Sequence, residues 1–201
     1  SDLGVSTETG ALLMIEVDGP ADCLSAAADA VASAARNDGL LELSVARDQE
    51  QIAALWRTRK ALSPALRHVA PKKINEDVVV PVSRIAAFIE GLEHLSQRYG
   101  IRIVNFGHAG NGNIHVNLLV DPDKSDEMRR AERCLGGVFD LVIDLDGTLS
   151  GEHGVGLEKR DFIEREIDSS ALALMRGIKA QFDPETILNP GKGLPLTAGS
   201  A

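Results

Sequence analysis

The sequence predicts an α+β fold, a ferredoxin-like (split β-α-β) sandwich with an antiparallel sheet and helices on one face. Two observations support this fold. Strand-like and helix-like patterns alternate along the chain, and a Gly-Asn-Gly turn at 110–112 joins two neighbouring strand patterns, as in an antiparallel hairpin. We expect this unit to be duplicated.

Each element follows from its residue pattern. Short apolar runs bounded by turn residues predict strands, and apolar residues spaced by three and four predict helices. Before the hairpin these patterns give strand 11–17, helix 20–37, strand 41–45, helix 48–67, strand 78–80 and helix 83–99. The hairpin strands are 101–106 and 114–120, and helices follow at 123–145, 157–166 and 169–182.

Composition limits the classes of function. The net charge of −9 leaves no basic stripe for nucleic acid, although a local basic cluster at 57–73 suits a small anion. We see no apolar run of membrane-spanning length and no signal peptide, and the two cysteines lie in helical patterns where burial is expected. These features predict a cytoplasmic location.

The chain ends define the expected boundaries. Residues 1–10 are polar and are expected to be the start of a linker, residues 11–195 form the domain, and 196–201 are a weakly structured tail. The chain begins without an initiator methionine, so we expect a piece cut from a longer protein.

Two glycine loops, at 107–115 and 151–156, carry histidines and a glutamate. A hairpin can bring His108 and His115 to one edge, while Glu152 must be delivered by the fold. Two imidazoles and a carboxylate with an open position form the ligand set of a catalytic zinc-type site. The alternative is that these are loop residues that only form hydrogen bonds. The H-E-x-x-H spacing of a helix-borne zinc site is absent. Neither loop has the glycine spacing of a dinucleotide-binding turn.

The segment V-I-D-L-D-G-T-L at 142–149 resembles the nucleophile motif of haloacid dehalogenase phosphatases. That motif normally opens its domain after a strand, whereas a helical pattern precedes it here. The simpler interpretation places Asp144 and Asp146 at a solvated helix end before the turn at Gly147.

Three ordered motifs carry a more specific resemblance: N-F-G-H-A-G-N-G-N-I-H-V-N at 105–117, G-T-L-S-G-E-H-G-V-G at 147–156, and F-D-P-E-T-I-L-N-P-G-K at 182–192. Together with 56–66 and 75–81, they resemble the C-terminal domain of FAD-linked oxidases of the vanillyl-alcohol oxidase type. Within that family the similarity is to the D-lactate, glycolate and D-2-hydroxyglutarate dehydrogenase branch. The resemblance extends over residues 11–195.

The resemblance implies a role for each matching residue. It implies that a divalent metal, zinc or manganese, is held by His108, His115 and Glu152, and that His153 is the general base. Arg59 would bind the substrate carboxylate. The remaining implied contacts are Ser63, Lys73 (or Lys72, since the spacing differs among branches) and Asn117 toward substrate, and Asn189 near the flavin ring.

The implied function is the substrate-binding part of a flavin-dependent dehydrogenase that oxidises a D-2-hydroxy acid or glycolate to the 2-oxo acid, with hydride transfer to FAD. A preceding N-terminal domain would hold most of the FAD, so the 201-residue chain alone is expected to bind flavin weakly or not at all and to be inactive. Expected partners are the small 2-hydroxy acid, the N-terminal FAD domain, an electron-accepting protein that brings the parent to the inner membrane, and a second copy in a homodimer. A metal-dependent hydrolase using the same site and a non-catalytic metal-binding module are the alternatives.

Overall fold

The computed structural model describes residue 6 and residues 8–195, in two compact units that divide between residues 65 and 66. The first unit contains two helices, α1 (Ala21–Ala34) and α2 (Gln49–Ala65). Pro20 is the N-cap residue of α1, where its missing N–H costs nothing. The helices predicted at 20–37 and 48–67 are therefore confirmed, with shorter ends.

Three predictions for the first unit are wrong. The segments 11–17 and 41–45 are not strands, and Leu13 and Leu41 are 70% and 61% exposed. An apolar run becomes a strand only where a neighbouring segment pairs with its backbone groups, and no segment within the described part of the chain does so. Cys23, predicted to be buried, is exposed on α1. A small apolar residue in an Ala-rich helix can lie on either face, so composition alone does not settle its burial.

The second unit contains the sheet. Its elements are β1 (Lys72–Val79), α3 (Ile85–Tyr99), β2 (Arg102–His108), β3 (Asn113–Val120), α4 (Ser125–Asp144) and α5 (Ser169–Phe182). Short 3-10 helices occur at Leu66–His68, Val82–Arg84, Ala109–Asn111 and Arg160–Arg165. The last of these replaces the helix predicted at 157–166. The strand predicted at 78–80 is longer and begins earlier, at Lys72, whereas the other elements of this unit follow the sequence prediction closely.

The sheet has the order β1-β3-β2, with both neighbouring pairs antiparallel. β1 and β2 are therefore parallel to each other with β3 between them, which is the split β-α-β arrangement. At the free edge of β1, Thr148 forms an antiparallel bridge with Val79 through N···O distances of 3.0 and 2.9 Å. The predicted α+β fold with an antiparallel sheet is confirmed, but the expected duplication is not observed, because residues 8–195 contain a single three-stranded sheet.

One face of the sheet packs against α3 and α4. Alternate strand residues point to this face, among them the fully buried Val116 and Leu118, and they meet Phe88 of α3 and Phe139 of α4. Cys134 of α4 lies in the same core, and burial raises the pKa of its thiol to about 11. The odd-numbered residues of β3, including His115 and Asn117, therefore lie on the opposite face of the sheet.

The end of α4 contradicts the phosphatase alternative. The helix continues to Asp144, so no strand precedes the D-L-D-G-T segment. Asp144 and Asp146 are both exposed, and Asp146 has a left-handed backbone with φ 59° before the turn at Gly147. Both carboxylates thus belong to a solvated helix end, as the simpler interpretation predicts.

No helix in residues 8–195 combines the length and the apolar character needed to cross a bilayer.

The conformation of the hairpin turn depends on Gly112. Gly112 has φ +78°, and a Cβ there would lie 1.9 Å from the carbonyl oxygen of Val80. Gly112→Ala is expected to destabilise the chain by at least about 1–2 kcal/mol from the left-handed conformation alone. Urea unfolding followed by circular dichroism measures the loss.

Gly110, in the same turn, is the matched control because a Cβ there would meet nothing within 4 Å. Gly110→Ala is expected to change the free energy of unfolding by no more than about 0.5 kcal/mol. Equal losses for the two variants would contradict this explanation of the turn.

Candidate functional site

The hairpin brings two imidazoles together on the face opposite the helices. His115 lies in β3, opposite Phe106 of β2 and Asp77 of β1. His108 is the last residue of β2, and its ring centroid is 5.8 Å from that of His115 in an edge-on arrangement. The predicted convergence of the two rings at one edge is therefore observed.

Glu152 completes a group of three metal-ligating side chains. Its Oε1 is 3.7 Å from His108 Nε2, and one ligand atom from each of His108, His115 and Glu152 lies within 4.8 Å of the others. Tetrahedral ligands at about 2.0–2.2 Å from an ion are separated by roughly 3.4 Å, so modest side-chain movement would let one ion contact all three. The donor set fits a divalent metal.

His115 is held in the form that binds metal. Burial lowers the pKa of its imidazole, and the neighbouring His153 and His108 lower it further, although Glu152 acts in the opposite sense. The ring is therefore neutral at physiological pH, with a lone pair available to an ion.

Asp77 fixes the loop that carries Glu152 and His153. Its Oδ2 accepts hydrogen bonds from three successive backbone N–H groups: Gly151 at 2.9 Å, Glu152, and His153 at 3.0 Å. The loop therefore wraps around one carboxylate oxygen. Since Asp77 opposes His115 in the sheet register, the loop is anchored directly beside the imidazoles.

The charge of Asp77 is balanced by Lys159, which is buried beside it. Lys159 Nζ lies 2.5 Å from Asp77 Oδ1, 2.6 Å from the Asp77 carbonyl oxygen and 3.6 Å from Glu76 Oε2. Burial acts to raise the pKa of Asp77, but the N–H donors of the loop and Lys159 outweigh it, and the net pKa lies well below its usual range. Burial raises the pKa of Glu76, with Lys159 opposing that shift.

Sequence reasoning assigned no role to Asp77, Glu76 or Lys159. Two adjacent carboxylates inside the strand that ends Val-Val-Val-Pro were the available signal, because charged residues in a buried strand require partners. Nothing comparable in the sequence indicated where Lys159 would lie in the fold.

His153 lies over His115. The two rings are stacked with centroids 5.5 Å apart, and His153 Nδ1 is 3.3 Å from Asp77 Oδ1. The His153 side chain is 46% exposed, so its ring is accessible to a small molecule from outside the sheet. A half-exposed imidazole with one nitrogen beside a carboxylate is suited to proton transfer.

Asn117 is fully buried, two positions beyond His115 on the same face. Its Oδ1 accepts a hydrogen bond from Asn75 Nδ2 at 2.9 Å, and its Nδ2 donates to the carbonyl oxygens of Val104 and His115. Its amide thus links the three strands beside His115. Lys73 is half-buried on this same face of β1, opposite Leu119, whereas its neighbour Lys72 is exposed.

The third motif meets the second glycine loop. Gly193 N donates to Gly156 O at 2.8 Å, and Arg160 Nη1 donates to Gly191 O at 2.8 Å. Asn189 is exposed, with φ 47°, in the same segment. The motifs at 147–156 and 182–192 are therefore adjacent in space.

Arg59 and Ser63 belong to the first unit. They are four residues apart in α2, so they lie on the same side of that helix. Both are half-buried.

Two buried polar atoms beside the loop have no hydrogen-bond partner: Asn113 Oδ1 and Ser150 Oγ. Asn113 shares the face of His115, and Gly151 packs so closely on its amide that a Cβ at Gly151 would lie 2.9 Å from it. Unsatisfied buried polar groups are uncommon in folded proteins and accompany sites that bind polar species.

Comparison with known proteins gives consistent matches. Residues 1–193 match the family model described as FAD linked oxidases, C-terminal domain. The glycolate oxidase subunit GlcD of Bacillus subtilis is 35% identical over 190 residues, which cover 94% of this chain and 40% of that protein. A D-lactate dehydrogenase of Anaerostipes hadrus is 31% identical over 192 residues (92% and 40%), and a D-2-hydroxyglutarate dehydrogenase of Stutzerimonas stutzeri is 35% identical over 158 residues (76% and 33%). The chain thus spans at most 40% of the length of these relatives.

Proposed function

Because the chain belongs to the family of FAD-linked oxidase C-terminal domains, we propose that it is the substrate-binding part of a flavin-dependent dehydrogenase acting on a small 2-hydroxy acid. The observation that carries the proposal is the convergence of His108, His115 and Glu152 directly beside His153. The names of the relatives support a 2-hydroxy acid as the class of substrate, since they refer to glycolate, D-lactate and D-2-hydroxyglutarate.

The chain's own residues would bind and deprotonate the substrate. A neutral His153 ring can accept the hydroxyl proton, and its position over His115 places that base beside the three ligating side chains. Arg59 is assigned the substrate carboxylate, because a guanidinium pairs with a carboxylate through two parallel hydrogen bonds. Ser63 and Lys73 are assigned further contacts with anionic oxygens, and Asn117 is assigned the substrate side of the site, where its amide also donates to the carbonyl oxygen of His115.

Two groups would add the remaining chemistry when bound. A divalent ion at His108, His115 and Glu152 would polarise a substrate oxygen, and FAD, held mainly by a preceding domain with Asn189 near its ring, would accept the hydride. We also propose that the parent forms a homodimer and passes its electrons to a partner protein. That partner would hold the parent at the inner membrane. The hydrolase and phosphatase alternatives find no support among the relatives, which are oxidases and dehydrogenases by name.

Anaerobic mixing of the full-length parent with a panel of 2-hydroxy acids tests the proposal. We expect at least one D-2-hydroxy acid or glycolate to bleach the flavin absorbance and to yield the 2-oxo acid in equal amount. A parent that releases product from ester or phosphate substrates, while no 2-hydroxy acid reduces its flavin, would reject it.

A further inference from the structure

We propose that Asp77 is a positioning residue of this site. Its carboxylate folds the loop that presents Glu152 and His153, and it fixes the tautomer of His153. The role in proton transfer rests on the proposed function, whereas the folding of the loop around the metal ligands is independent of it.

The loop role follows from three consecutive donors on one oxygen. Oδ2 of Asp77 accepts the N–H groups of Gly151, Glu152 and His153. Successive N–H groups that converge on one anion curve the backbone into a concave turn. The side chains of Glu152 and His153 leave this turn next to His115, because Asp77 stands opposite His115 in the sheet. One buried carboxylate thus connects the loop that carries Glu152 to β1, the strand that pairs with the one carrying His115.

The tautomer role follows from the second oxygen. Oδ1 lies 3.3 Å from His153 Nδ1 and also accepts from Lys159 Nζ. A carboxylate beside Nδ1 favours the tautomer with its proton on that nitrogen, which leaves Nε2 as the acceptor for a substrate proton. Lys159 Nζ donates to the same oxygen, so Oδ1 faces the ring as an acceptor.

Asp77→Asn separates the two roles. The asparagine Oδ1 can accept the three loop N–H groups, and its NH₂ then faces His153 Nδ1, which would favour the opposite tautomer. The same NH₂ cannot accept from Lys159, whose ammonium keeps the backbone carbonyl oxygen of residue 77 and the Glu76 carboxylate as acceptors. In the full-length parent we expect Zn²⁺ affinity within about threefold of wild type, since the loop remains folded, well short of the 10–100-fold loss typical of outer-shell disruption. The rate constant for flavin reduction at saturating substrate is expected to fall by at least about 100-fold, the contribution of a general base, while the substrate dissociation constant is unchanged.

Asp77→Ala removes both roles and is expected to lower Zn²⁺ affinity, measured by competition with a chromogenic chelator, by about 10–100-fold. Asp140→Asn is the matched control, because that carboxylate is 65% exposed on α4 and pairs with Arg165. The control should match wild type in both measurements. Should Asp77→Ala fail to fold by circular dichroism, the double variant Asp77→Leu/Lys159→Met, which replaces the buried ion pair by apolar side chains of similar volume, tests the loop role by the same Zn²⁺ measurement.

Wild-type Zn²⁺ affinity in Asp77→Ala would overturn the loop role. Wild-type flavin reduction in Asp77→Asn, or a parallel loss of rate and metal affinity in that variant, would overturn the tautomer role. A wild-type parent whose flavin no 2-hydroxy acid reduces would reject the proposed function instead. In that case the Zn²⁺ affinity of Asp77→Ala would still show whether Asp77 shapes the metal site.

Discussion

Replacing His115 by alanine is expected to lower the affinity of the chain for Zn²⁺ by more than about 100-fold, beyond the 10–100-fold cost of losing an outer-shell partner. His115 is the central member of the cluster, because its ring contacts those of both His108 and His153. Without it, one imidazole and one carboxylate remain, and neither is preorganised by burial. Titration of the 201-residue chain against a chromogenic chelator measures the affinity directly.

His94 provides the matched control. It is exposed on α3, which packs against the opposite face of the sheet from His115. His94→Ala should bind Zn²⁺ as wild type does. If His94→Ala and His115→Ala lost affinity equally, or if neither lost any, the cluster would not be a metal site.

Replacing Lys159 by methionine is expected to destabilise the chain by about 3–5 kcal/mol, because removing one partner of a buried ion pair leaves the other charge uncompensated. Lys159 is 2% exposed and forms ion pairs with two buried carboxylates, those of Asp77 and Glu76. Methionine retains much of the volume, so the loss is electrostatic rather than a cavity. Urea unfolding at neutral pH measures it.

Lys124→Met is the control for removing a lysine charge at the surface. Lys124 is 65% exposed beside Asp121 and Glu127, where an ion pair contributes no more than about 1 kcal/mol. A Lys159 variant as stable as the Lys124 variant would contradict the buried network.

The effect of Lys159→Met should also depend on pH. In the wild type the pKa of Asp77 is held below its unfolded value of about 3.9, so its pairing stabilises the fold above that pH and is lost as pH falls through the folded value. The difference in unfolding free energy between wild type and variant is therefore expected to be largest at neutral pH and to shrink toward pH 3. A difference that grew on acidification would assign the effect to packing.

The sequence predicted the ligand cluster because its signal is local. His108 and His115 flank a hairpin turn, so their proximity follows from strand pairing alone, and Glu152 was placed with them by the resemblance of motifs. The structure adds what local patterns do not contain. Lys159 reaches Asp77 from 82 residues away, and only the fold brings that pair to one edge of β1.

The strands predicted at 11–17 and 41–45 show what a local sequence pattern cannot predict. Their apolar runs satisfy the pattern of a buried strand, but a strand also needs a neighbour that accepts and donates its hydrogen bonds. Periodicity describes which side chains prefer burial and carries no information about the pairing partner. The strand Arg102–His108 was predicted correctly because its partner follows at once in the sequence.

The most direct test of the metal's role is anaerobic stopped-flow reduction of the full-length parent after its metal has been stripped with a chelator. With a 2-hydroxy acid that reduces the untreated protein, we expect the stripped protein to keep its flavin oxidised. Reduction should return when one equivalent of Zn²⁺ or Mn²⁺ is restored to wild type, and should fail to return in Glu152→Gln. Flavin reduction by metal-free protein at the untreated rate would contradict a metal held by His108, His115 and Glu152 in this chemistry.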